Sequence, residues 1–245
     1  VGIGYPGDAR FIAKALARHR PLPASFAADP PFWNAVTYER MYDLTPPATA
    51  AAVARQNVPG LVELTADEVG GADDFLRTIE TEVKPRVAAL APVDVDQPAL
   101  LGHSVGGLIV IHALFTEPNA FRRFIAASPS LWWNDDAIFQ EAPAFAEKVR
   151  SGAAAPRVLI TVGGDEGAVP SLPKSMQFDS ARLAELIRMA DMVGKARRLA
   201  DMLHAIHGAA GYRAEDLAEF PHQSNGISPW PAIGRAIPFA FVEPH

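Results

Sequence analysis

Short apolar runs alternate along this chain with longer stretches in which apolar residues recur every three or four positions. This is the rhythm of strands feeding helices. Ala99-Leu-Leu101 runs into Gly102-His-Ser-Val-Gly106, and Gly107-Leu-Ile-Val-Ile-His-Ala-Leu-Phe115 continues without a breaker. That order predicts a strand over 98–102, a sharp turn and a helix. Phe124 to Ala127 reads as a second strand, ending in Ser128-Pro-Ser-Leu-Trp-Trp133. Arg157-Val-Leu-Ile-Thr-Val162 reads as a third, buried strand, closed by Gly163-Gly-Asp-Glu166. Phe75, Leu76, Ile79 and Val83 share one helical face, with an aspartate of the Asp73-Asp74 pair as the N-cap candidate. A helical tract over 178–206 carries Leu183, Leu186, Ile187, Ala190, Leu199, Leu203 and Ile206, with Gly194 as the expected break. Glu219 to Ser224 is a last short strand or loop, and a helix over 230–241 follows in spite of Pro238. Strands alternating with helices predict an α/β fold, a mostly parallel sheet covered on both faces.

The front of the chain departs from that rhythm. Val1-Gly-Ile-Gly-Tyr-Pro6 reads as the end of a strand already under way, so the sheet is expected to lack its N-terminal strands and to expose an edge. Phe11 to His19 predicts a short helix, after which Pro21, Pro23, Pro30 and Pro31 are expected to forbid long regular structure. Residues 8–50 and 178–212 are therefore expected to be lid or insertion segments of a single domain over 1–245. No internal repeat or domain linker is visible.

Composition narrows the classes. Apolar residues make up 49% of the 245 positions, enough for a sizeable core. The net charge of −6 is spread through the chain, and no basic stripe points to nucleic acid. No apolar run reaches the length of a membrane span. With no cysteine, disulfides, thiolate metal sites and thiol nucleophiles are excluded, and cytosol and periplasm fit equally. No cofactor is implied: His204-x-x-His207 lacks a third metal ligand. Oligomeric state and compartment stay open.

The chemistry enters at Ser104. A serine at the apex of a strand–turn–helix junction holds its Oγ out in solvent, and the helix that starts behind it aims unpaired N–H groups at the reacting centre. Glycine is expected at 102 and 106 because side chains there would collide across the turn. Such a nucleophile needs a base. Among the late histidines, His204 and His207 fall in a helical pattern and His245 is terminal, which leaves His222 in a loop before the last helix. His103 is expected to point elsewhere, and His112 to pack on the elbow helix. Asp165 and Glu166 follow the third strand, and either could orient the imidazole. Val105 N–H supplies half of an oxyanion hole, and the loop after an early strand offers Tyr5 N–H for the other half.

Taken together these segments resemble the esterase branch of the α/β-hydrolases, which includes esterase D, feruloyl esterases, mycobacterial mycolyltransferases and siderophore esterases. The likeness is greatest to the siderophore-esterase-like group and rests on Ile3-Gly-Tyr5, Arg40-Met-Tyr-Asp-Leu-Thr-Pro46, Gly102-His-Ser-Val-Gly-Gly107, Ser128-Pro-Ser-Leu-Trp-Trp133, Gly163-Gly-Asp-Glu166 and His222-Gln-Ser224. The resemblance implies the α/β-hydrolase fold, a serine carboxylic ester hydrolase working through an acyl-enzyme on small, siderophore-like esters, and Glu166 as the acid beside Ser104 and His222. Acyl transfer on the same fold, or binding without catalysis, are the alternatives. Trp132 is a candidate for lining the site, with burial in the core the plainer role. Arg40 is a candidate for meeting an anionic or catecholate substrate, with a loop-fixing ion pair to Asp43 the plainer role.

Overall fold

The three expected strands lie side by side in the computed structural model, which describes residues 2–3, 30–59, 63–169, 179–208 and 210–242. β1 (Ala99–His103), β2 (Arg123–Ala127) and β3 (Arg157–Gly163) pair parallel in register, Leu101 beside Ile125 and Ile125 beside Leu159. β4 (Arg213–Ala214) and β5 (Ala218–Phe220) both pair parallel with β3, one at each end of it. Among the described residues the sheet is wholly parallel. Every residue of β2 and β3 is buried, which a parallel sheet achieves only with cover on both faces.

That cover comes from the helices between the strands. α5 (Val105–Thr116) follows β1 directly and is apolar nearly all round, so almost all of it is buried. α8 (Met192–His204) and, after the last strand, α9 (Pro229–Phe241) add to it, while α6 (Ala142–Arg150) packs on α5. Ala236 and Phe239 of α9 pack on Ile125 and Leu159. The two-residue alternation of a strand sends Phe124 and Val158 to the opposite face.

These elements belong to a compact unit of Ala88–Val169 with Ile187–His245; a second unit comprises Val1–Val87 with Pro170–Leu186. In the latter, α1 (Pro30–Leu44), α2 (Ala50–Gln56) and α3 (Ala72–Thr78) are tied locally, and α4 (Lys84–Leu90) follows α3 in the chain. Gly71 N–H donates to Tyr42 C=O at 2.8 Å, and a Cβ at Gly71 would stand 2.6 Å from the Tyr42 ring.

Several expectations need correction. The proline-rich segment contains a 15-residue helix, α1, because Pro30 and Pro31 occupy its first turn, where the missing N–H costs nothing. Gly71, rather than an aspartate, caps α3, and Asp73 and Asp74 sit in its first turn, where the helix dipole favours them. The helical tract breaks at Asp191 instead of Gly194, giving α7 (Ser180–Ala190) and α8. Asp191 is left-handed (φ 40°), and its side chain accepts from Gly194 N–H. The expected helix at Phe11–His19, and the strand end at 1–6 apart from Gly2 and Ile3, lie outside the described residues. Among the described residues, no helix is long and apolar enough to cross a membrane.

Candidate active site

Ser104 sits between β1 and α5 with φ 58° and ψ −118°, a backbone state few side-chain-bearing residues adopt. It costs about 1–3 kcal/mol and persists only where the surroundings enforce it. Here they do. Ser104 N–H donates to Ala127 C=O at 3.0 Å, and Ser104 C=O accepts from Gly107, Leu108 and Ser130 N–H at 2.9, 3.0 and 3.1 Å. A Cβ at Gly102 would lie 1.9 Å from Gly106 O, so position 102 admits only glycine. The expectation for Gly106 is corrected, because a Cβ there meets nothing within 4 Å. The second obligatory glycine is Gly107, whose Cβ would stand 2.9 Å from both Ala127 O and Pro129 Cα. Val105 opens α5, and helix geometry leaves its N–H without an intrahelical acceptor.

Three more loops gather at the C-terminal ends of the strands. After β2, Ser128 is left-handed (φ 46°) and fully buried, and Ser130 Oγ lies 3.4 Å from Ser104 Oγ. After β3 come Asp165 and Glu166. After β5, His222 is left-handed too (φ 59°), and its ring is 92% exposed.

The two carboxylates differ sharply in surroundings. Asp165 is half exposed, and its Oδ2 stands 4.0 Å from His222 Nδ1. Glu166 is buried, and both its oxygens are engaged. Oε1 accepts from Ser128 Oγ at 2.5 Å and from Gly163 N–H at 2.7 Å, while Oε2 accepts from Asn225 Nδ2 at 2.9 Å. Ser128 Oγ also pairs with Ser228 Oγ at 2.9 Å, and Ser228 Oγ lies 3.4 Å from His103 Nε2. His103 thus turns toward this buried network, and His112 is held at 2.9 Å by Glu141.

Trp132 is half-buried against Trp133, ring centroids 6.4 Å apart, and Trp133 is buried. Arg40 lies on α1, in the other unit, and is half-buried. Tyr5 lies outside the described residues. Sequence reasoning gave no role to Ser128, Ser130, Asn225 or Ser228. For the first two the Ser-Pro-Ser segment was a signal; for the last two there was none.

Residues 45–215 match the family model described as Putative esterase. The chain is 37% identical over 213 residues to the siderophore triacetylfusarinine C esterase of Aspergillus fumigatus, a match covering 81% of this chain and 67% of that protein. It is 32% identical over 206 residues to the siderophore enterobactin esterase of Emericella nidulans, covering 82% and 65%. Among solved structures it is similar to the siderophore hydrolase EstA from Aspergillus nidulans, with a TM-score of 0.67, 31% identity, and 84% of this chain and 66% of that one covered. It spans about two thirds of the length of these relatives.

Proposed function

This chain belongs to the esterase family of the α/β-hydrolases, and from that premise we propose that it is a serine carboxylic ester hydrolase whose nucleophile is Ser104. The observation that carries the reading is the elbow itself. A strained serine is enforced by four backbone hydrogen bonds and by a glycine that tolerates no Cβ, and strain of this kind is kept where it is used.

The chemistry follows from the residues. His222 takes the proton of Ser104 as Oγ attacks the ester carbonyl. Val105 N–H helps hold the developing oxyanion, and the N-terminal end of α5 adds its favourable dipole. The protonated His222 returns the proton to the departing alcohol. Water, activated by the same imidazole, then attacks the acyl-enzyme, releases the acid and restores Ser104. A carboxylate of the Asp165–Glu166 pair steadies the imidazolium. The named activities of the relatives extend the proposal to siderophore-type esters, with Trp132 as a candidate substrate contact.

The test is release of acid and alcohol from a panel of carboxylic esters, hydroxamate and catecholate siderophores included, followed by mass spectrometry. Wild type should hydrolyse at least one of them, and Ser104→Ala should lose on the order of a thousandfold or more in kcat/KM. Equal rates in wild type and variant would overturn the assignment.

A further inference from the structure

The nucleophile shares its corner of the sheet with a second hydroxyl. We infer that Ser130 is a further catalytic residue, whose O–H donates to Ser104 Oγ and steadies the charge that gathers there as the serine attacks and later leaves. The inference rests on the proposal that Ser104 is the nucleophile and His222 its base, and it adds the group that meets Oγ from the loop after β2.

Ser130 Oγ lies 3.4 Å from Ser104 Oγ, and among the described residues each hydroxyl is the other's only hydrogen-bond partner. A tight hydroxyl pair stands at about 2.8 Å, and catalytic hydrogen bonds are often this long before substrate draws them in. Ser130 is 2% exposed, so bulk water does not compete for its O–H. A buried hydroxyl without an acceptor is costly, and Ser104 Oγ is the acceptor that the fold supplies. The main chain, not this hydroxyl, holds the segment in place. Ser130 N–H donates to Ser104 C=O at 3.1 Å, Leu131 N–H to Pro129 C=O at 2.8 Å, and Trp133 N–H to Ser130 C=O at 3.2 Å. Pro129 rests on the first turn of α5, where a Cβ at Gly107 would stand 2.9 Å from its Cα. Leu131 and Trp133 are buried.

Geometry alone lets either hydroxyl donate; the reaction fixes the direction. Ser104 carries one hydroxyl proton, and in the proposed chemistry that proton passes to His222. The bond between the two hydroxyls therefore runs from Ser130 to Ser104. In acylation the Ser104 O–H bond breaks, the imidazole takes the proton, and Oγ bonds to the carbonyl carbon. In deacylation that carbon–oxygen bond breaks, and Oγ takes its proton back from the imidazole. Oγ is electron-rich on the way into and out of the acyl-enzyme, and a donor already fixed beside it stabilises both passages without reorganising. Ser130 keeps its own proton throughout.

Because the main-chain bonds survive the substitution, Ser130→Ala removes the donor and leaves the elbow standing. The rate of fluorophosphonate labelling of Ser104, measured against reagent concentration in wild type and Ser130→Ala, separates binding from reaction. The maximal labelling rate should fall about three- to tenfold in the variant, the worth of one neutral hydrogen bond. The half-saturating reagent concentration and the melting temperature should stay at their wild-type values. An unchanged maximal rate would overturn the inference. So would a slower rate accompanied by a lower melting temperature or weaker reagent binding, which marks a structural role. Wild-type protein that takes no label at all would bring down the hydrolase proposal, and the inference with it, so the two failures are told apart.

Discussion

At the scale of single residues, the elbow turns on where a Cβ can go. Ala at 102 would drive a methyl to 1.9 Å from a backbone oxygen, while Ala at 106 would enter open space. Gly102→Ala should therefore lose at least about 3 kcal/mol of stability or fail to fold. Gly106→Ala should melt at or slightly above the wild-type temperature, since Ala favours a helix over Gly by about 1 kcal/mol. Thermal unfolding of the pair checks this, and similar melting of the two variants would contradict the geometry. The strand, the turn and Ser104 were legible in sequence because that chemistry is local. The partners of Glu166 were not. Ser128 lies 38 positions from it and Asn225 59 positions, and Ser128 and Ser228 are 100 apart, so no spacing pattern announces them.

Among the elements, β2, β3 and α5 were readable from apolar runs, which a strand or helix buried on all sides requires. Boundaries decided by one side chain were less so. The break at Asp191 depends on a carboxylate turning back to Gly194 N–H, and the start of α1 depends on prolines that read as breakers but serve as a first turn. The packing of α8 against its neighbours yields a prediction about pH. Tyr212 donates its hydroxyl to Leu203 C=O at 2.9 Å and sets its ring edge-on to Phe145 of α6. Burial pushes the Tyr212 phenol well above its usual range. An unfolded tyrosine loses its proton near pH 10, whereas the folded one keeps it, so the unfolded state binds fewer protons there. Stability contributed by the neutral phenol is complete below about pH 10 and declines as the pH rises beyond it. Denaturant unfolding from pH 8 to 11 should show that decline in wild type and a shallower one in Tyr212→Phe. Tyr212→Phe should itself be about 1 kcal/mol less stable at pH 8 through the lost hydrogen bond. Identical alkaline slopes would contradict the assignment.

For the whole molecule, a parallel sheet delivers the ends of β1, β2, β3 and β5 to one edge, and each end carries part of the proposed site: Ser104, Ser128, the two carboxylates, and His222. The central claim is that Ser104 is an activated nucleophile. The most direct measurement of it is intact mass after incubation with a fluorophosphonate, for wild type and for Ser104→Ala. The account predicts one adduct on folded wild-type protein and none on the variant. No adduct on folded wild type, or an adduct that persists in Ser104→Ala, would contradict it.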